Sequence, residues 1–164
     1  MRSDELVTIA GKRGYGKTTA AKNVLKNISR VLIWDPLGEY TEYGVQSYIP
    51  KTNTIAEYDA FLKRAWSMGN VFVCTDEADQ VMPVERPLSQ YANLITNLGR
   101  HRNIGMCNIT RRIARLNKTV FSQSREVILF HHFMPNDIRY LAEFIPDADT
   151  LKNLKKYEYK AYLL

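Results

Sequence analysis

Lys17 and Thr18 stand directly after Gly16, and Gly11 opens the stretch. Residues 11–19, GKRGYGKTT, thus fill every fixed position of the pattern G-x-x-x-x-G-K-[ST]. That spacing suits one kind of chemistry. Glycines let the backbone curl so that its N–H groups point inward at phosphate oxygens. A lysine in this position reaches the β- and γ-phosphates, and the neighbouring hydroxyl ligates Mg²⁺. Gly11, Lys12, Arg13, Gly14, Tyr15, Gly16, Lys17, Thr18 and Thr19 are therefore the expected binding residues for ATP. A second pair, Asp76 and Glu77, follows an apolar run. Asp76 is expected to share the metal with Thr18, and Glu77 to polarise an attacking water as a general base. Two adjacent carboxylates favour hydrolysis over transfer of phosphate to a small acceptor. An ordinary acidic turn is the alternative for this pair.

The remaining charge is mostly basic. The formal net charge is +6, and between residues 100 and 125 it is carried by Arg100, Arg102, Arg111, Arg112, Arg115, Lys118 and Arg125, with no Asp or Glu in the interval. A run of this kind is either a solvated face or a surface for an anionic polymer. In a chain that also carries a phosphate loop, an anionic polymer is the expected partner.

These residues need a scaffold that delivers them to one place, and the apolar pattern supplies it. Leu6–Ala10, Val31–Trp34 and Val71–Thr75 are short apolar runs rich in β-branched residues, and 105–110 and 127–130 continue the series. Ala20, Ala21, Val24, Leu25 and Ile28 recur at helical spacing after the loop. Thr54 and Glu57 have capping-box spacing before a helix that Gly69 closes; a further helix over 88–98 ends at Gly99, and another covers 135–144. Residues 157–164 alternate as a last edge strand. Asp35 falls at the carboxyl edge of the second strand, where ligands bind in α/β sheets. Asp79 reads as structural.

At 164 residues the chain is expected to be one domain, 1–164, with a full hydrophobic core. No apolar run approaches the ~20 residues of a membrane span, and the N-terminus has no signal-peptide pattern, so a cytoplasmic protein is expected. Cys74 and Cys107 each sit inside an apolar run and read as buried free thiols. His131 and His132 read as structural, since no second cluster of metal-ligand type accompanies them.

With these residues in hand, the chain resembles the HerA/FtsK superfamily of DNA-pumping ATPases. The stretches that carry the resemblance occur in order: GKRGYGKTT, DPLGEY, FVCTDEAD, GRHRNIGMCNITRR, LNKTVFSQSREVILFHH, and finally MPNDIRYLAEF with LKNLKKYEYKAYLL. The resemblance implies an α/β RecA-like (ASCE) P-loop NTPase fold, with a central, mostly parallel sheet of order 5-1-4-3-2 flanked by helices. It also implies a homo-oligomeric ring, hexamer or pentamer, that passes double-stranded DNA through its pore without regard to sequence. Lys17, Thr18, Asp76 and Glu77 carry over directly. The superfamily's sensor glutamine is replaced by Arg111, so Arg111, Asn108 or Thr110 would sense phosphate. Arg100 and Arg102 are the candidates for a catalytic arginine supplied to the neighbouring subunit. The short chain is similar to the genome-packaging ATPases of icosahedral viruses with an internal membrane. That similarity implies a host-cytoplasmic or virion-associated motor, with a capsid vertex or internal-membrane protein as docking partner. A non-motor assembly or export ATPase, and a small nucleotide kinase, are the other readings of the same motifs.

Overall fold

The computed structural model describes residues 4–164. Seven strands form one sheet: β1 (Leu6–Ala10), β2 (Val31–Trp34), β3 (Ser47–Tyr48), β4 (Val71–Thr75), β5 (Ile104–Thr110), β6 (Glu126–Leu129) and β7 (Lys160–Leu163). Their spatial order is β3-β2-β4-β5-β1-β6-β7. The inner five strands have the expected order, and one strand is added at each edge. Every pairing is parallel except β6 with β7. The inner strands are buried on both faces, which is why they read as continuous apolar runs and not as alternating ones.

Alternate strand residues feed two cores. Val7, Ile9, Phe72 and Ile109 pack with Ala21 and Leu25 of α1 (Lys17–Leu25) on one face. Leu32, Val73, Met106 and Leu129 pack on the other face with α2 (Ile55–Met68), α4 (Gln90–Leu98) and α6 (Pro135–Ala142). Two shorter helices, α3 (Ala78–Val81) and α5 (Lys118–Ser122), complete the layers. Cys74 and Cys107 are partners in register across β4 and β5, and both are buried free thiols, as expected.

Several boundaries differ from the sequence reading for local reasons. The Thr54 hydroxyl accepts from the Glu57 amide at 3.3 Å, an N-cap of the kind that contributes about 1 kcal/mol. Glu57 does not reach back to its own cap residue as a capping box would. It accepts instead from the amides of Lys51, Thr52 and Asn53, pinning the loop that precedes α2. The last strand begins at Lys160 and not at Tyr157, because residues 155–158 form a turn in which the Glu158 amide donates to the Lys155 carbonyl. The basic interval from 100 to 125 is divided by β5 and is not one surface. Arg100, Arg102 and Arg125 lie at the amino edge of the sheet, while Arg111 and Arg112 lie at its carboxyl edge. Residues distant in sequence also neutralise much of it: Arg111 pairs with Glu77, Arg112 with the buried Asp137, Arg125 with Glu5, and Arg100 with Asp4 at 4.0 Å.

Candidate nucleotide site

The loop between β1 and α1 hangs from the strands on either side. The Gly11 amide donates to the Thr110 carbonyl at 3.2 Å, and the Lys12 amide to the His131 carbonyl at 2.9 Å. Gly11 has φ of 143°, and a Cβ there would stand 2.6 Å from Cβ of Phe130, so no other residue fits. Gly16, at φ of 106°, caps α1 without a side-chain partner. The first-turn amides of α1 consequently face outward, a ready anion site carrying the positive end of the helix dipole. Lys17 folds its ammonium across the loop onto the Lys12 carbonyl at 3.1 Å. Burial lowers the Lys17 pKa, and the carboxylates of Glu77 and Asp76 oppose that shift.

The cleft beside this loop has a volume of about 280 Å³. Arg13, Gly14, Gly16, Lys17, Thr18 and Thr19 form one wall. Gly11, Lys12 and Tyr15 stand behind it: Gly11 packs on Phe130, and Tyr15 stacks on His131 with ring centroids 4.9 Å apart. Asp76, Glu77 and Arg111 close the far side. Strand β4 delivers Asp76 and Glu77, and β5 delivers Arg111, each immediately after its last residue. The Asp76 carboxyl is 5% exposed, and its pKa is pushed up to about 7, by burial first and then by Glu77 and Glu39. Glu77 occupies the left-handed region at φ 51°, ψ 42°, and its Oε2 accepts from Arg111 Nε at 2.9 Å. A non-glycine residue in that region is held at a cost of about 1–3 kcal/mol, the kind of strain that gathers at functional sites.

Of the three sensor candidates, only Arg111 is brought to the cleft. The Thr110 hydroxyl is engaged by Asp79 at 2.6 Å, which gives Asp79 its structural role, and Asn108 is fully buried on the other face of the sheet. Arg100 and Arg102 are not brought to this cleft. The seven-residue β5 separates them from Arg111, about 20 Å at ~3.3 Å per residue. Arg102 Nε donates to the Trp66 carbonyl at 3.0 Å, and its guanidinium lies 5.0 Å from the Trp66 ring centroid, so it caps the end of α2. Asp35, expected at a ligand edge, is wholly buried and accepts from the Glu39 and Tyr40 amides and the Ser47 hydroxyl. What Asp35 does is hold up Glu39, a cleft residue absent from the sequence reading. Glu39 Oε2 accepts from the Thr18 hydroxyl at 2.9 Å. The signal was its place in DPLGEY, one residue beyond a glycine turn.

Thr18, Asp76, Glu39 and Glu77 gather hydroxyl and carboxylate oxygens at one end of the cleft, a donor set of the kind hard divalent cations take. Among the described residues no three His, Cys, Asp or Glu side chains are placed to hold a metal by themselves. A cation here would therefore depend on phosphate oxygens as well.

No protein-family model matches the chain, and no curated protein does. Solved structures do. The genome packaging NTPase B204 from Sulfolobus turreted icosahedral virus 2, in complex with AMPPCP, superposes with a TM-score of 0.85 at 21% identity, over 99% of this chain and 93% of that one. This chain has the P-loop NTPase fold. The same P-loop architecture recurs in the N-terminal domain of zonular occludens toxin from Neisseria meningitidis, with a TM-score of 0.61 at 14% identity over 98% of this chain and 94% of that chain. It recurs again in the pCW3 conjugation coupling protein TcpA with ATPγS, with a TM-score of 0.65 at 13% identity. There the match takes in 98% of this P-loop chain and 57% of the coupling protein. The α/β class and the mostly parallel sheet implied by the HerA/FtsK resemblance are thus the observed ones.

Proposed function

We propose that the chain is an ATP-hydrolysing motor on double-stranded DNA, of the genome-packaging kind. The observation that carries this is the cleft, in which Lys17, Thr18, Asp76, Glu77 and Arg111 converge from three elements. Backbone amides of the loop and the α1 N-terminus bind the β- and γ-phosphates together with Lys17. Thr18 and Asp76 would hold Mg²⁺, which supplies charge neutralisation across the phosphates. Glu77 takes a proton from the attacking water. In the resting geometry Arg111 occupies the Glu77 carboxylate, and a γ-phosphate competes for that guanidinium. Nucleotide arrival then turns Arg111 toward the phosphate and frees Glu77 as a base.

Support for the wider reading is the overlay on a viral packaging NTPase along almost the whole chain. We infer a homo-oligomeric ring in which a neighbour supplies a further arginine. Arg102 is occupied by Trp66, which leaves Arg100, whose side chain is 79% exposed. No helix among the described residues is long and apolar enough to cross a membrane.

For DNA the useful cations are those without a carboxylate. Arg86, Arg115 and Lys118 are exposed and make no ion pair among the described residues. They lie close together at the start of α5 and on the segments before it, since the Val84 amide donates to the Arg115 carbonyl at 2.8 Å and Asn117 Nδ2 to the Arg86 carbonyl at 3.0 Å. Three to five phosphate contacts predict a log–log salt slope of roughly −3 to −4.5 in duplex binding, with no preference among sequences. Arg86→Ala combined with Arg115→Ala should flatten that slope by about 2. Fluorescence anisotropy against a salt series measures it. A salt-independent or sequence-selective affinity would overturn the DNA assignment while leaving the nucleotide site intact.

A further inference from the structure

The order of the sheet gives the cleft a direction. Strand β4, which Asp76 and Glu77 follow, lies on the β5 side of β1, whereas β6 and β7 lie on the opposite side. The reacting γ-phosphate belongs with Asp76 and Glu77, so the remainder of a nucleotide extends the other way, over Gly16 and Thr19 toward β7. Tyr157 stands there. Its amide donates to the Tyr15 carbonyl at 3.2 Å, and a Cβ built on Gly16 would meet its Cδ1 at 3.0 Å. Despite these contacts the residue is 63% exposed and lines the cleft.

The backbone at this position is unusual as well. Tyr157 is the third residue of the 155–158 turn, with φ of 70°, a left-handed conformation that glycine adopts freely and a side-chain-bearing residue resists. The Lys156 ammonium lies 5.0 Å from its ring centroid, and no other ring among the described residues stacks on it. A strained turn therefore holds an aromatic face, unstacked, at the end of the phosphate cradle away from the carboxylates.

We propose that Tyr157 is the platform on which the base of a bound nucleoside triphosphate stacks. The proposal rests on reading the cleft as a nucleoside triphosphate site. Every base has a π-face, so stacking adds affinity with little discrimination among bases. The platform predicts that the chain prefers a nucleoside triphosphate to the same phosphates without a base.

Calorimetric titration of the full chain with a non-hydrolysable ATP analogue and with inorganic tripolyphosphate, both with Mg²⁺, tests this. Tyr157→Gly suits the left-handed turn and removes the ring, while Tyr157→Phe keeps the ring. The parent should bind the analogue more tightly than tripolyphosphate. Tyr157→Gly should weaken the analogue by roughly five- to a hundredfold and leave tripolyphosphate unchanged, and Tyr157→Phe should bind both as the parent does. Unchanged analogue affinity in Tyr157→Gly, or an equal loss for both ligands, overturns the platform. So does a parent that binds the two ligands equally. A parent that binds neither overturns the nucleotide site itself, and the platform with it.

Discussion

Glu77→Gln should lower ATP turnover by about 10²–10⁴-fold while leaving ATP affinity within a few-fold of the parent. The amide keeps the size of the side chain and can occupy the same left-handed backbone at φ 51°. It cannot take a proton from water. It also loses the charge that holds Arg111 at 2.9 Å, so the guanidinium is freer to face phosphate and ground-state binding should not suffer. Steady-state hydrolysis paired with a binding titration checks both halves. Turnover at the parent rate would remove Glu77 as the base and turn attention to Glu39, the other carboxylate lining the cleft near the Thr18 hydroxyl.

Lys17→Ala should act one step earlier, on binding. Its ammonium is already aimed into the loop, on the Lys12 carbonyl, and charged hydrogen bonds to two phosphates are worth about 1.5–3 kcal/mol each. Losing both predicts an affinity lower by roughly two to four powers of ten. The ammonium also sits among Asp76, Glu77 and Glu39, so its removal should raise the already elevated Asp76 pKa further and weaken metal-dependent binding with it. A melting curve confirms that the variant is folded, and parent-like ATP affinity in a folded variant would contradict the assigned role of the loop.

The parts of this site legible in the sequence are those whose chemistry is written in adjacent residues. Gly11, Gly16, Lys17 and Thr18 form a single local pattern, and Asp76 and Glu77 follow a short apolar run whose β-branched residues read as a buried strand. The inner strand order was legible through the resemblance of the same motifs. What the sequence hid depends on turns and on pairing across space. Glu39 enters the cleft because Asp35 binds the amides of Glu39 and Tyr40, a geometry that residue types alone do not reveal. Tyr157 reads as one residue of an alternating strand, and only the 155–158 turn detaches it from β7. The basic interval misled in the opposite sense. Its linear excess of charge is met by Asp4, Glu5, Glu77 and Asp137 from elsewhere in the chain, and β5 carries its two halves to opposite edges of the sheet.

A motor that couples hydrolysis in this cleft to duplex DNA is distinguished from any other P-loop enzyme by its ATPase rate with and without long double-stranded DNA. At fixed Mg²⁺ and low salt, long duplex should raise the parent's turnover, the increase should fade as salt is raised, and Glu77→Gln should show neither basal nor stimulated hydrolysis. Turnover that ignores duplex DNA at low salt, or phosphate appearing on a small acceptor instead of in solution, would contradict the motor and leave a P-loop enzyme of another kind.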